Sequence, residues 1–227
     1  MSVTVSESLL PVLPEVLARI KNLFDLYCEP KAVYETLQVM NTLKPGLCVL
    51  GTRLPGCFNV FEMSVRAVLG QQVTVKAAST LAARLVAAYG TQVQTGIEGL
   101  THSFPAPAAI LALGENISEH LGKLGIISAR ANTIYQLARV LAEEKNDFGF
   151  CGNPEEEMQK LQAIRGIGSW TAQYIAMRAM GWPDAFLSTD AGIKKALPDH
   201  TPKELQVLSE AWRPWRSYAT VNLWNTL

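Results

Sequence analysis

No apolar run in this 227-residue chain is long enough to span a bilayer, and no secretory leader opens it. The expectation is a cytoplasmic protein with no membrane partner, nucleoid-associated when bound to its target. Cysteine is scarce. Cys28, Cys48, Cys57 and Cys151 form no C-x-x-C pair and show no ligand-like spacing, so neither zinc nor a disulfide framework is suggested. His102, His120 and His200 stand isolated and read as surface or loop residues. An excess of charge is missing as well. Twenty basic and twenty acidic residues give a formal net charge of zero, which argues against a strong non-specific binder of nucleic acid, usually a basic protein. The chain also has no low-complexity stretch and no convincing repeat.

What is there is apolar content, 48 % of the chain, enough for one sizeable core or two small ones. Its periodicity is helical almost throughout. Helices are expected at about 13–26, 31–40, 58–69, 74–89, 105–112, 116–122, 128–145, 154–163, 169–180, 190–197, 202–211 and 215–225. Pro30, Pro105, Pro154 and Pro202 stand at starts, and Gly90, Gly114, Gly125 and Gly181 at stops or turns. Val3-Thr4-Val5 reads as a short strand without partners. The expected fold class is all-α.

The stretch from Leu161 to Asp190 carries the most information. Leu161, Ile164 and Ile167 recur at helical spacing, and Trp170, Tyr174 and Met177 continue it. Gly166 and Gly168 interrupt the pattern. Glycine tolerates positive φ and lets another backbone come close. A second helix beginning at Gly168 or Ser169 would present amides that lack an intrahelical partner. Those amides and the helix dipole make an anion site that a phosphate fits without any base being read. The expected phosphate set is Gly166, Gly168, Ser169 and Thr171. A Gly-x-Gly alone fits equally well a tight turn between packed helices. Local charge favours the anion: four basic residues, Arg165, Arg178, Lys194 and Lys195, face two acids, Asp184 and Asp190, between Leu161 and Leu197.

Five segments carry a family resemblance: FEMSVRAVLGQQVTVKAAS (61–79), LGKLGIISARANTIYQLA (121–138), LQAIRGIGSWTAQYIAMRAMG (161–181), FLSTDAGIKKAL (186–197) and RPWRSYATVNLW (213–224). In that order they resemble the bacterial 3-methyladenine DNA glycosylase II family. That family lies within the helix-hairpin-helix base-excision DNA glycosylase superfamily, in which a Gly-Pro-Asp loop follows the hairpin. Here the loop is Gly181-Trp182-Pro183-Asp184, and the family's essential acid matches Asp190.

The resemblance implies a two-lobed helical bundle with the lesion pocket between the lobes. An N-terminal segment, 1–55, would pack with a hairpin and catalytic lobe, 165–227, and a middle lobe would span 56–164. The N-terminal β domain of relatives would be largely absent, which leaves either a natural short form of the family or a trimmed one. Some superfamily members carry four clustered cysteines near the C-terminus for an iron–sulfur cluster. No cysteine follows Cys151, so no such cluster and no other cofactor is expected. Backbone carbonyls of Gln162, Ile164 and Gly166 are the family's place for a structural monovalent cation. The expected partner is double-stranded DNA with damaged bases, bound by a monomer.

Asp190 by itself reads as a helix N-cap ahead of Ala191-Gly192-Ile193. Cap and catalyst are compatible, because donors that hold a carboxylate favour its charged form. Breaking the bond between base and sugar builds positive charge on the sugar, which a fixed carboxylate stabilises. The same group can orient or deprotonate the attacking water. Trp170 and Tyr174, four apart, share a helix face and by themselves fit core packing. With Trp224 they match the family's base-reading aromatics, which wall the pocket of a flipped base and attract a cationic purine.

Relatives that also cut the strand place a lysine where Trp170 stands, so a monofunctional hydrolase without lyase activity is implied. Lys194 and Lys195 fit a solvated helix face or a phosphate contact. Gln72, in a Gly-Gln-Gln-Val turn, matches the side chain that wedges into the gap left by the flipped base, where reference members have leucine. An ordinary polar loop fits it as well. Two rival readings stay open, a helix-hairpin-helix DNA-binding module without activity and a glycosylase for uracil or hypoxanthine.

Overall fold

The computed structural model describes residues 1–143 and 153–227. Cys151 and the end of the helix expected at 128–145 lie outside the described residues. The chain forms two compact units. One combines Met1–Phe58 with Gly181–Leu227, and the other is Asn59–Met180.

In chain order the first unit contributes α1 (Leu13–Leu23) and α2 (Pro30–Leu37). The second runs through α3 (Val60–Leu69), α4 (Val75–Tyr89), α5 (Pro107–Leu111), α6 (Ile117–Gly122), α7 (Ser128–Glu143), α8 (Pro154–Ala163) and α9 (Ser169–Ala179). The chain then returns to the first unit with α10 (Ala191–Ala196), α11 (Pro202–Leu208) and α12 (Arg216–Trp224). Every expected helix has a counterpart, shortened by up to a few residues at its ends. Among the described residues no strand forms, and the one β-bridge joins Gln92 to His102. Val3-Thr4-Val5 is therefore not a strand. The first regular element is a 3-10 helix, Glu7–Val12, which periodicity did not reveal.

The second unit is built on α3. Asn59 caps it by accepting the Glu62 amide at 2.8 Å. Its sequence buries Val60, Phe61, Ser64, Val65, Ala67, Val68 and Leu69, nearly all round, as befits a helix packed by α4, α7 and α9. The α7 stripe of Ala131, Ile134, Leu137 and Ala138 is buried. So is the α9 stripe of Ala172, Ile175, Ala176 and Ala179. Small residues let α9 lie close to α3 and α8. That packing places residues 165–180 with the segment before them, whereas the expected lobe boundary fell at 164. The observed division falls between Met180 and Gly181.

The first unit is built on α12, which is buried from Arg216 to Leu223. Asn222 accepts the Val49 amide at 3.0 Å and the Thr52 hydroxyl at 2.9 Å, tying an early segment to this late helix. Asp25 accepts the Leu54 amide at 2.8 Å, and Arg53 donates to the carbonyls of Asp25 and Cys28. Tyr218 is buried beside Cys28 and Asp25. A Thr201–Glu204 capping box with Pro202 starts α11.

Candidate active site

The turn between α8 and α9 occupies Ile164 to Gly168, closed by the Ile167 amide donating to the Ile164 carbonyl at 3.0 Å. Gly166 has φ +97, and a Cβ there would lie 2.1 Å from Thr133 Oγ1. That hydroxyl donates to the Arg165 carbonyl at 2.9 Å. Glycine is thus required at 166 twice over, by backbone and by space. Gly168 is different. Its φ of −89 and ψ of 178 are extended, and a Cβ there meets nothing within 4 Å. Of the two glycines, Gly166 alone uses the tolerance for positive φ. Gly168 is the N-cap of α9 and brings no side chain to the first amides of an eleven-residue helix, which leaves their mouth unobstructed.

Ser169 is exposed beside this mouth. Thr171 is not, at 3 % exposure. Its hydroxyl accepts from Gln71 Nε2 at 2.9 Å, so the side chain is turned inward to another loop and only its backbone amide faces the start of α9. Gln71 Nε2 also donates to the Gly166 carbonyl at 2.9 Å, and Arg130 Nη2 donates to the Gln71 carbonyl. Gln72 follows, exposed and with φ +52, an uncommon conformation for a residue with a side chain. Of the expected cation ligands, Gln162 lies in the last turn of α8, and the carbonyls of Ile164 and Gly166 each accept a protein donor. Among the described residues no group of three or more His, Cys, Asp or Glu is placed to hold a metal.

On α9 the rings of Trp170 and Tyr174 stack, with centroids 5.2 Å apart and planes 6° from parallel. The Arg178 guanidinium sits 5.7 Å from the Tyr174 centroid. Residues 170, 174 and 178 therefore line up one helical turn apart, aromatic, aromatic, cation.

Asp190 belongs to the first unit and is the N-cap of α10. Its Oδ1 accepts three donors: the Gly192 amide at 2.9 Å, the Ile193 amide at 3.1 Å and Trp224 Nε1 at 2.8 Å. Trp224, expected only as a pocket wall, thus holds the acid. A Cβ on Gly192 would lie 2.8 Å from Trp224 Cδ1, so this glycine admits the indole. A glycine in the first turn of a short helix was the signal available in the sequence. Lys194 and Lys195 are exposed.

The loop that delivers Asp190 is laced to the start of α12. Asp184, 7 % exposed, accepts Arg216 Nε at 2.7 Å and Nη2 at 2.9 Å, and Arg213 Nη1 at 2.5 Å. Arg216 Nη2 also donates to the Asp184 carbonyl at 2.8 Å. The Ser217 amide donates to the Pro183 carbonyl at 2.8 Å, its hydroxyl donates to the Trp182 carbonyl at 2.7 Å, and that hydroxyl accepts the Ala185 amide at 3.1 Å. Glu210, bonded to Arg213 at 2.8 Å, is held below the usual carboxylate range by that guanidinium. The Arg-Pro-Trp-Arg-Ser run thus clamps the Trp-Pro-Asp loop, a partnership that only folding reveals.

A family model described as the AlkA N-terminal domain matches residues 1–59, and one described as the HhH-GPD superfamily base excision DNA repair protein matches residues 65–216. DNA-3-methyladenine glycosylase 2 of Escherichia coli is 38 % identical over 224 residues, covering 99 % of this chain and 76 % of that protein. The probable bifunctional transcriptional activator/DNA repair enzyme AlkA of Mycobacterium tuberculosis is 40 % identical over 216 residues, 92 % of this chain and 42 % of that longer protein. Among solved structures, the 3-methyladenine DNA glycosylase of Archaeoglobus fulgidus superposes with a TM-score of 0.74 at 22 % identity, over 97 % of this chain and 76 % of its own. An 8-oxoguanine glycosylase/lyase of Clostridium acetobutylicum reaches 0.76 at 17 % identity, over 98 % and 76 %.

Proposed function

The chain belongs to the HhH-GPD superfamily of base excision DNA repair proteins, and from that premise we propose that it flips alkylated bases of the 3-methyladenine type out of duplex DNA and hydrolyses their bond to the sugar. The observation that carries this reading is the Asp190 carboxylate, held through Oδ1 by two helix amides and the Trp224 indole. A pure DNA binder needs the hairpin but not an acid fixed in this way.

In the reaction the bond between the base and the sugar's anomeric carbon breaks, and its electron pair leaves with the base. An alkylated purine that starts as a cation departs neutral, so no proton need be supplied. Positive charge builds on the sugar ring, and the Asp190 carboxylate opposes it. Water then adds to the anomeric carbon, and Asp190 orients it or takes its proton. Trp170 and Tyr174 offer stacked π-faces that attract a cationic base. The amides at the start of α9, with Gly168 and Ser169 beside them, grip a backbone phosphate, and Gln72 fills the space the base vacates.

Trp170 stands where a Schiff-base lysine would be needed, so the product is an abasic site in an intact strand. A monovalent cation at the hairpin would share the Ile164 and Gly166 carbonyls with the protein donors already there. Incubation with duplex carrying 3-methyladenine or 7-methylguanine, scored for free base, tests the activity. No release from either substrate, with uracil or hypoxanthine released instead, moves the assignment to another lesion. No release from any of them moves it to the binding module.

A further inference from the structure

We propose that Gln71 is a positioning residue that couples phosphate contact at the hairpin to insertion of Gln72 into the base stack. This inference rests on the glycosylase reading above. The side-chain amide of Gln71 spans from its own loop to the hairpin, donating to the Gly166 carbonyl and to the Thr171 hydroxyl, each at 2.9 Å. Its main-chain carbonyl accepts from Arg130 Nη2 on α7. On the other side of Gln72, Thr74 caps α4 by accepting the Ala77 amide at 3.2 Å. The Gln72 tip is therefore slung between Gln71 and Thr74, and its positive φ of 52 persists because the chain is held at both of those points.

The hairpin is held from its far side by Thr133, which donates to the Arg165 carbonyl. Removing Gln71 would leave the turn standing and release only the tip. All of these residues lie in the unit Asn59–Met180. Grip and wedge thus lie in one unit, with the Gln71 side chain bridging them. A side chain that bonds only its own loop would not have this consequence. Gln71 instead shares its two acceptors between the turn itself and the first turn of α9.

The test uses a duplex with a tetrahydrofuran abasic analogue beside 2-aminopurine, whose emission rises when an inserted side chain unstacks it. Excision of 3-methyladenine by the wild-type chain is measured in parallel. Gln71→Ala, and Gln71→Met which nearly keeps the shape but loses the donors without adding charge, should reduce the emission rise by roughly tenfold, the scale of breaking a coupled hydrogen-bond pair. Affinity for undamaged duplex should stay within roughly twofold, because the first amides of α9 behind Gly168 are left in place. If Gln71→Ala fails to fold, Thr171→Val removes one acceptor and should reduce the rise in part. A full wild-type rise in folded variants overturns the proposal. So does an equal loss of affinity for undamaged duplex, which would mean that the hairpin itself had collapsed. Loss of the rise by the variants of a wild-type chain that excises nothing would uphold the coupling and sink the glycosylase reading instead.

Discussion

At Asp190 one oxygen does the work of a helix cap and of an anchor for an indole, which orients the carboxylate as a whole. Asp190→Asn keeps an acceptor for the Gly192 and Ile193 amides and for Trp224, and loses the charge. Base release should fall by about 2–4 kcal/mol of transition-state stabilisation, while a gel-shift measurement with lesion duplex and the melting temperature change little. Trp224→Phe keeps an aromatic wall and removes the 2.8 Å donor to Asp190. A hydrogen bond to a charged group contributes about 1.5–3 kcal/mol. Single-turnover excision at saturating protein should accordingly slow by roughly ten- to a hundredfold, with Kd for the lesion duplex unchanged. An equal loss in Kd would return Trp224 to the role of a wall alone.

At the scale of the element, the two glycines of the hairpin separate fold from function. Gly166 has φ +97 and Thr133 Oγ1 in the space of a Cβ. Gly166→Ala should therefore lower stability by about 1–3 kcal/mol, the scale of a strained left-handed residue, read by denaturant unfolding. Gly168 is extended and opens onto free space. Gly168→Val should fold normally and still place a branched side chain over the first amides of α9. Affinity should then weaken for duplexes of every sequence. Unaltered binding by the folded variant would make the turn only a turn.

Across the whole molecule, two polar knots hold the first unit together. Asp184→Ala would leave Arg216, 6 % exposed, with the exposed Glu210 carboxylate at 3.3 Å in place of its buried partner. Breaking a buried pair in this way costs about 3–5 kcal/mol. The melting temperature should drop, and excision should fall with it because the Asp190 loop loses its clamp. The second knot joins Tyr218 to Cys28. Burial, followed by the neighbouring Cys28 thiol, pushes the Tyr218 hydroxyl well above its ordinary value of 10.0, and burial pushes the Cys28 thiol up as well. A raised folded-state pKa gives stability that is whole below the unfolded value and drains as pH climbs past it. Wild-type stability should therefore fall steeply above pH about 10, and Tyr218→Phe should flatten that limb in urea titrations. An identical limb in both proteins would place the alkaline sensitivity elsewhere.

Local patterning by itself determined the helices, because apolar spacing, caps and prolines act within a few residues of one another. It also determined that Asp190 caps a helix and that Trp170 and Tyr174 share a face, since both follow from helical geometry alone. What the tertiary structure decided is which distant groups meet. The Trp224 indole on Asp190, Arg216 on Asp184, Gln71 on Gly166 and Thr133 beside that same glycine join residues far apart in sequence. Nothing in the spacing of either partner encodes the contact. The division of the chain was likewise set by packing, because small residues on α9 bury it against α3 and keep the hairpin with the helices that precede it. The Thr171 hydroxyl meets Gln71 for the same reason, while its amide belongs to the first turn of α9. Position along a helix fixes which face a side chain takes, but only the neighbours that cover a face decide whether it meets solvent or protein.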